Sequence, residues 1–179
     1  MGHHSVLEHV SITFAIDKIS RACSHQLVRH RIASYSQQSQ RYVKYEDIDF
    51  IIPPSINKNE DIALGFLSFM EDIQFNYNQL INLGVEPEDA RYILPNAVAT
   101  NITMTVNARE LIEMCKLRLC TNAQWEIRNM FELICLCIKE NKELNFLSEY
   151  LGPKCVWSKF CNEGKRSCGK FPTELGEVK

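Results

Sequence analysis

A chain of 179 residues has room for one domain and a short tail. Twenty Lys and Arg against 22 Asp and Glu leave a net charge of −2, so no global field draws the chain to nucleic acid or to a membrane surface. No run of about eighteen apolar residues offers a membrane span, and the opening Gly2-His3-His4-Ser5 lacks the basic-then-apolar order of a signal peptide.

Val10, Ile12, Phe14 and Ile16 alternate with Ser11, Thr13 and Ala15, which predicts a half-buried strand. Asp17 is placed to cap a helix running to about His30. An extended segment follows. Residues 49–52 suit a short strand, stopped by Pro53-Pro54. Ile62, Phe66, Phe69, Met70, Ile73, Tyr77, Leu80 and Ile81 recur at spacings of three and four, predicting a long amphipathic helix over 59–83 closed by Gly84. Pro87 opens a short helix that carries Arg91 and stops before Pro95. Ile102, Met104 and Val106 alternate with polar residues in a second strand. Two helices follow over 108–118 and 122–141, the second with Trp125, Met130, Leu133, Ile134 and Ile138 inward. Few strands among several helices, without a regular βαβ rhythm, indicate an α+β fold. The expected division is a ligand-binding domain over 1–151 and a tail over 152–179.

Residues 29–42, RHRIASYSQQSQRY, hold three Arg, one His and three Ser without a single acid. A solvated helix face would mix Glu with Lys. Arginine forks take phosphate or carboxylate oxygens bidentately, with Ser and Gln adding neutral hydrogen bonds. The run reads as a site for a small anion such as a phosphate ester, or as a basic surface loop; composition does not separate them.

Of eight cysteines, Cys23, Cys115, Cys120, Cys135 and Cys137 fall in apolar or amphipathic helical stretches and read as buried free thiols of a reducing compartment. Cys155, Cys161 and Cys168 lie in the Gly- and Lys-containing tail. Their spacing is not a standard zinc pattern, and three ligands fall one short of a structural site. Cys120 is a candidate fourth. No metal is assigned, and whether these four hold one is left open.

The order of residues goes beyond composition. Arg29-His30-Arg31, seven residues, then Ser39 and Arg41-Tyr42 resembles the signature of flavin-dependent thymidylate synthases. Three further segments resemble the same family in the same order: Gly2 to His9, Ala90 to Pro95, and Thr105 to Arg109 running on to Leu117-Arg118 and Ala123-Gln124-Trp125-Glu126. The resemblance covers residues 2 to about 150. It implies an antiparallel sheet with a helical layer, assembled as a homotetramer in the cytoplasm. The family usually carries a strand and a helix before the Gly-His motif, and the sequence in hand opens at that motif.

The resemblance implies that dUMP is converted to dTMP. Methylenetetrahydrofolate would be the carbon donor, FAD the hydride carrier and NADPH the reductant. It places Ser39 and Arg41 on the nucleotide phosphate, with Gln26, Arg29, Gln37, Gln38 and Arg91 completing the site. It places His3, Ser5, Glu8, Arg29, His30, Arg31, Ile32, Gln37, Asn107, Ala108 and Arg109 on the flavin, with Glu113 and Asn122 as weaker matches. No Gly-rich phosphate turn is present, so side chains would have to hold the dinucleotide. Arg118 would contact the uracil and stabilise its developing negative charge, since a guanidinium stays protonated beside an anion. Taken alone, Gln26 reads as a solvated helix residue. Arg91 reads as an ion pair with Glu88, and Arg118 as a helix C-terminal cation facing the dipole. Ser36 and Gln37 stand where the family often has Asn and Glu. No cysteine falls in the matched nucleotide motif. The competing functional reading is a non-catalytic nucleotide- or RNA-binding protein using the same run, though only Tyr35 and Tyr42 could stack on bases there.

Overall fold

The structure is a computed structural model that describes residues 4–41 and 47–173. His3 and Tyr42 lie outside the described residues. Three strands, β1 (Ser11–Ser20), β2 (Ala33–Gln37) and β3 (Ala99–Asn107), form an antiparallel sheet in the order β1-β3-β2. The described helices are α1 (Arg21–Leu27), α2 (Pro54–Asn57), α3 (Glu60–Asn82), α4 (Pro87–Ala90), α5 (Ala108–Arg118), α6 (Trp125–Glu140) and α7 (Lys154–Ser158). The chain forms two compact units: residues 14–26 with 35–104, and residues 1–13 with 27–34 and 105–179.

In the first of these, β1 runs past its predicted end. Asp17 does not start a helix. Lys18 takes a left-handed φ of 55°, and its N–H is bound by Asn101 Oδ1 at 3.0 Å, so the strand stays on the sheet to Ser20. Ser20 Oγ then accepts the Cys23 N–H at 3.0 Å and caps α1. The predicted strand over 49–52 reduces to one antiparallel bridge, Phe50 with Val98. The Asn59 side chain caps α3 by accepting the Ile62 N–H at 3.1 Å. Gly84, at φ 87°, ends it: its N–H reaches Ile81 O and the Val85 N–H reaches Leu80 O, each at 3.0 Å. Met70 and Tyr77 are buried with Ile48, Ala90 and Val98, and Phe66, Ile73, Leu80 and Ile81 pack against them. Ile62 and Phe69, read as part of that stripe, are exposed. Phe69 lies off the 66-70-73-77 line, and Ile62 sits in the first turn.

In the second unit, Met104's neighbours along β3 carry the period-two pattern into α5: Val106 and Ala108 are buried, and Asn107 Oδ1 caps the helix through the Glu110 N–H at 2.9 Å. Helix α6 begins at Trp125 rather than residue 122, because Gln124 Oε1 accepts the N–H groups of Glu126 and Ile127 at 3.0 and 3.1 Å. Its inward stripe is Ile127, Met130, Phe131, Ile134 and Ile138. Leu133 is exposed, contrary to the sequence reading, because it falls outside the 127-131-134-138 line. No described helix is long and apolar enough to cross a membrane.

Candidate functional site

The acid-free run turns out to be distributed between the two units. In the unit holding residues 35–104, Ser39 Oγ accepts the Arg41 backbone N–H at 3.1 Å. The Arg41 guanidinium grips Glu88 Oε2 through Nε at 2.8 Å and a terminal nitrogen at 2.7 Å. Arg91 instead donates Nε to the Glu88 carbonyl at 2.9 Å. The ion pair anticipated for Arg91 therefore belongs to Arg41. Both members of that pair are about half exposed, so it is a weak, exchangeable contact.

Gln37 is held more deeply. Its Nε2 donates to Ser24 Oγ at 2.9 Å and to Thr100 Oγ1 at 3.3 Å. Ser24 and Thr100 are buried. Ser24 Oγ spends its own proton on the Arg21 carbonyl at 3.0 Å, so it must accept from Gln37, which fixes the orientation of the amide. Gln37 and Gln38 line a cavity of about 310 Å³ with Ala15, Asp17, Ser36, Asn101, Ile102 and Thr103. Among the described lining residues none is a cation and Asp17 is an acid, so they suit an uncharged hydrogen-bonding group better than phosphate. Gln26 is half-buried in the last turn of α1.

The other unit carries the matches assigned to flavin and to catalysis. Ser5 and Glu8 lie exposed on a 3₁₀ turn over His4–His9, and Glu8 pairs with Arg109 at the start of α5. Arg29, Arg31 and Ile32 are exposed. The Asn107 side chain is engaged in its cap, and Ala108 is buried with its N–H on Val10 O at 2.9 Å. Glu113 Oε1 pairs with Lys116 at 2.6 Å, and Asn122 Nδ2 donates to Glu163 Oε2 at 2.8 Å.

At the end of α5, Arg118 Nε donates to His30 Nε2 at 2.9 Å. The imidazole thus accepts on Nε2 and carries its proton on Nδ1, which faces Glu110 Oε1 at 3.8 Å. Burial, and then the Arg118 charge, lower the His30 pKa to about 4. His30 is a neutral acceptor at pH 7, so its contact with Glu110 is not an ion pair. Glu110 is itself shifted upward, first by burial and then by Glu113. The fold has turned the middle residue of the basic motif into a fixed seat for a guanidinium 88 residues away.

All eight cysteines are free thiols. Cys23 and Cys115 are buried as expected, but Cys137 is exposed and Cys120 and Cys135 are only partly covered. Cys115 and Cys135 sulfurs stand 4.0 Å apart. Among the described residues, no three or more His, Cys, Asp or Glu side chains are disposed to hold a metal ion as placed. Ser24, Thr100 and Glu110 are polar partners the sequence did not single out, and Glu88 was anticipated only as a partner of Arg91.

A family model described as thymidylate synthase complementing protein matches residues 1–141. Flavin-dependent thymidylate synthases from three organisms are similar along most of the chain. That of Clostridium tetani is 46% identical, covering 94% of this chain and 73% of its own. That of Geobacter sulfurreducens is 48% identical over 95% and 73%, and that of Thermococcus onnurineus 46% over 92% and 69%. The chain belongs to the family of flavin-dependent thymidylate synthases.

Proposed function

We propose that the chain catalyses the reductive methylation of dUMP to dTMP, with methylenetetrahydrofolate as carbon donor, FAD as hydride carrier and NADPH as reductant. In a chain of this family, the observation that carries the reading is Arg118 seated on a neutral His30. A guanidinium anchored through Nε is oriented as well as charged. It would stabilise the anion that develops on the uracil ring without taking part in proton transfer.

The nucleotide phosphate goes to Ser39 and Arg41. Its dianion would displace the exposed Glu88 carboxylate from the Arg41 fork, an exchange of one charged pair for another. Gln26, Gln37, Gln38 and Arg91 complete that site. Gln37 acts as a neutral amide, oriented by Ser24 and Thr100.

The residues present fit a flavin dinucleotide. Arg29 and Arg31 are exposed cations, and Arg109 would become available to pyrophosphate oxygens on leaving Glu8. Ser5, Glu8, Ile32 and His30 accompany them, with His3 from the same motif. Asn107 and Ala108 would act mainly by shaping the start of α5, and Glu113 by releasing Lys116, while Asn122 stays on Glu163 as the weaker match. When bound, FAD supplies the hydride that completes the methyl group. A chain of this size can hardly enclose nucleotide, flavin and folate together, so we place these sites between subunits of a homotetramer.

The test is direct. Purified with FAD, the chain should be yellow and should form dTMP from dUMP, methylenetetrahydrofolate and NADPH. A folded, flavin-loaded protein that forms no dTMP would refute the assignment. A colourless protein that binds nucleotide or RNA would favour the non-catalytic reading.

A further inference from the structure

Residues 152–173 keep a defined course with almost no core of their own. Only Gly152 and Cys161 are buried among them, while Val156 and Trp157 are 37% and 43% exposed. Twenty-odd residues without a core need another fastening. Several contacts bring this tail to the turn after α5, within one compact unit. Asn122 Nδ2 holds Glu163 Oε2 at 2.8 Å. The Thr121 hydroxyl bonds the Cys168 sulfur. Helix α7, which carries Cys155, packs against α5. The Cys161 N–H is tied to Pro172 O at 2.8 Å, which folds the end of the tail back on its middle.

These contacts gather four sulfurs. Cys161, Cys120 and Cys168 each lie near enough to the Cys155 sulfur to act on it electrostatically. The Cys168 sulfur accepts the Lys170 backbone N–H and the Thr121 hydroxyl. The turn that aims the Lys170 N–H back at Cys168 passes through Gly169 at φ 79°, a conformation suited to glycine.

We propose that Cys120, Cys155, Cys161 and Cys168 form a closed four-thiolate site for Zn²⁺ that fastens the tail to the turn after α5. The four are donors of one kind, from four separate positions, which is the donor set of a structural zinc site. Zn–S bonds of about 2.3 Å set tetrahedral sulfurs about 3.8 Å apart. The thiols do not stand in that arrangement as placed, so binding must draw them inward. The segments bearing them allow it: Cys168 lies exposed in a glycine turn, and α7 is only five residues long. Binding balances as one Zn²⁺ taken up and four thiol protons released, with no change in oxidation state. Affinity should therefore fall on acidification.

The experiment uses the full chain, expressed in zinc-supplemented medium and purified reduced without chelator. Elemental analysis should give one zinc per chain. Replacement by Co²⁺ should give a thiolate charge-transfer band and the intense visible bands of a tetrahedral ion. C161S and C168S should each lose stoichiometric zinc, whereas C137S, which alters an exposed thiol of α6 outside the cluster, should keep it. Chelation of the wild-type chain should expose residues 152–173 to limited proteolysis. Wild-type chain that is substoichiometric in zinc and gives no tetrahedral Co²⁺ spectrum overturns the proposal without reliance on any variant. Native disulfides among these four cysteines, or full zinc retention in C168S, overturn it equally.

Discussion

Arg118→Ala offers the strongest test of the proposed chemistry. The side chain reaches His30 through Nε at 2.9 Å, so the fold holds its guanidinium in place before any ligand arrives. An interaction that strengthens as charge develops lowers the barrier, whereas one equal in ground and transition states does not. Loss of one such donor costs on the order of 10²–10³ in turnover, or about 3–4 kcal/mol. Arg118→Lys should recover little, because a point charge on a flexible stem cannot both bond His30 and present a planar fork. Oxidation of NADPH by the flavin should survive both changes, since that half-reaction needs no activated uracil. The substitution should also raise the His30 pKa from about 4 by removing the charge that helps depress it, leaving burial as the remaining cause. The assay measures dTMP formation and NADPH oxidation separately, with His30 titrated by NMR. A folded, flavin-loaded Arg118→Ala protein that makes dTMP near the wild-type rate would show that Arg118 merely terminates α5.

His30 also makes a pH prediction. Its folded pKa lies below the ordinary value of 6.5, so the stability it permits is fully present above that value and is lost as pH falls toward about 4. The loss is at most about 3 kcal/mol, and denaturant titrations at several pH values should show it flattened in His30→Gln; an unchanged slope would refute the burial argument. Gly84→Ala should cost about 1 kcal/mol, a fall of about 2–4 °C in Tm, from the left-handed φ alone, because a Cβ there meets no atom within 4 Å. Cys23, Cys115 and Cys120 should each tolerate Ser within about tenfold in turnover, since none falls in the matched nucleotide motif; a covalent cysteine–dUMP adduct by mass spectrometry would contradict this. Light scattering should give the mass of a tetramer, and a monomer with full turnover would exclude sites shared between subunits.

Strand β3 and the start of α5 were legible because two local rules agree there. Alternation buries Ile102, Met104 and Val106, and Asn107 sits where a cap is needed. The β1–α1 boundary was not legible. Asp17 is as good a cap residue as Ser20, and what excludes it is the left-handed Lys18 with its N–H on Asn101, a partner 83 residues away. Helical stripes gave Met70, Tyr77, Ile134 and Ile138 correctly. They failed at Phe69 and Leu133, because an apolar residue at the edge of a stripe looks the same in sequence whether or not a neighbour covers it.

The candidate site shows the same division more sharply. Motif order picked out Arg41, Gln37, His30 and Arg118, but Glu88 and Thr100, the partners of the first two, lie 47 and 63 residues away without a local signature, and no spacing rule joins His30 to Arg118 across 88 residues. Those partners change the chemistry of the motif residues. In sequence, Arg29-His30-Arg31 reads as three positive groups. In the folded chain the middle one is a neutral acceptor, made so by burial and by the very arginine it seats. The motif therefore supplies two cations and a neutral acceptor rather than a cationic triplet, and under the proposed function the charge presented to the uracil is that of Arg118 at the end of α5. A protonated His30 could not accept the Arg118 Nε, so the same shift that keeps the imidazole neutral keeps the guanidinium in its place.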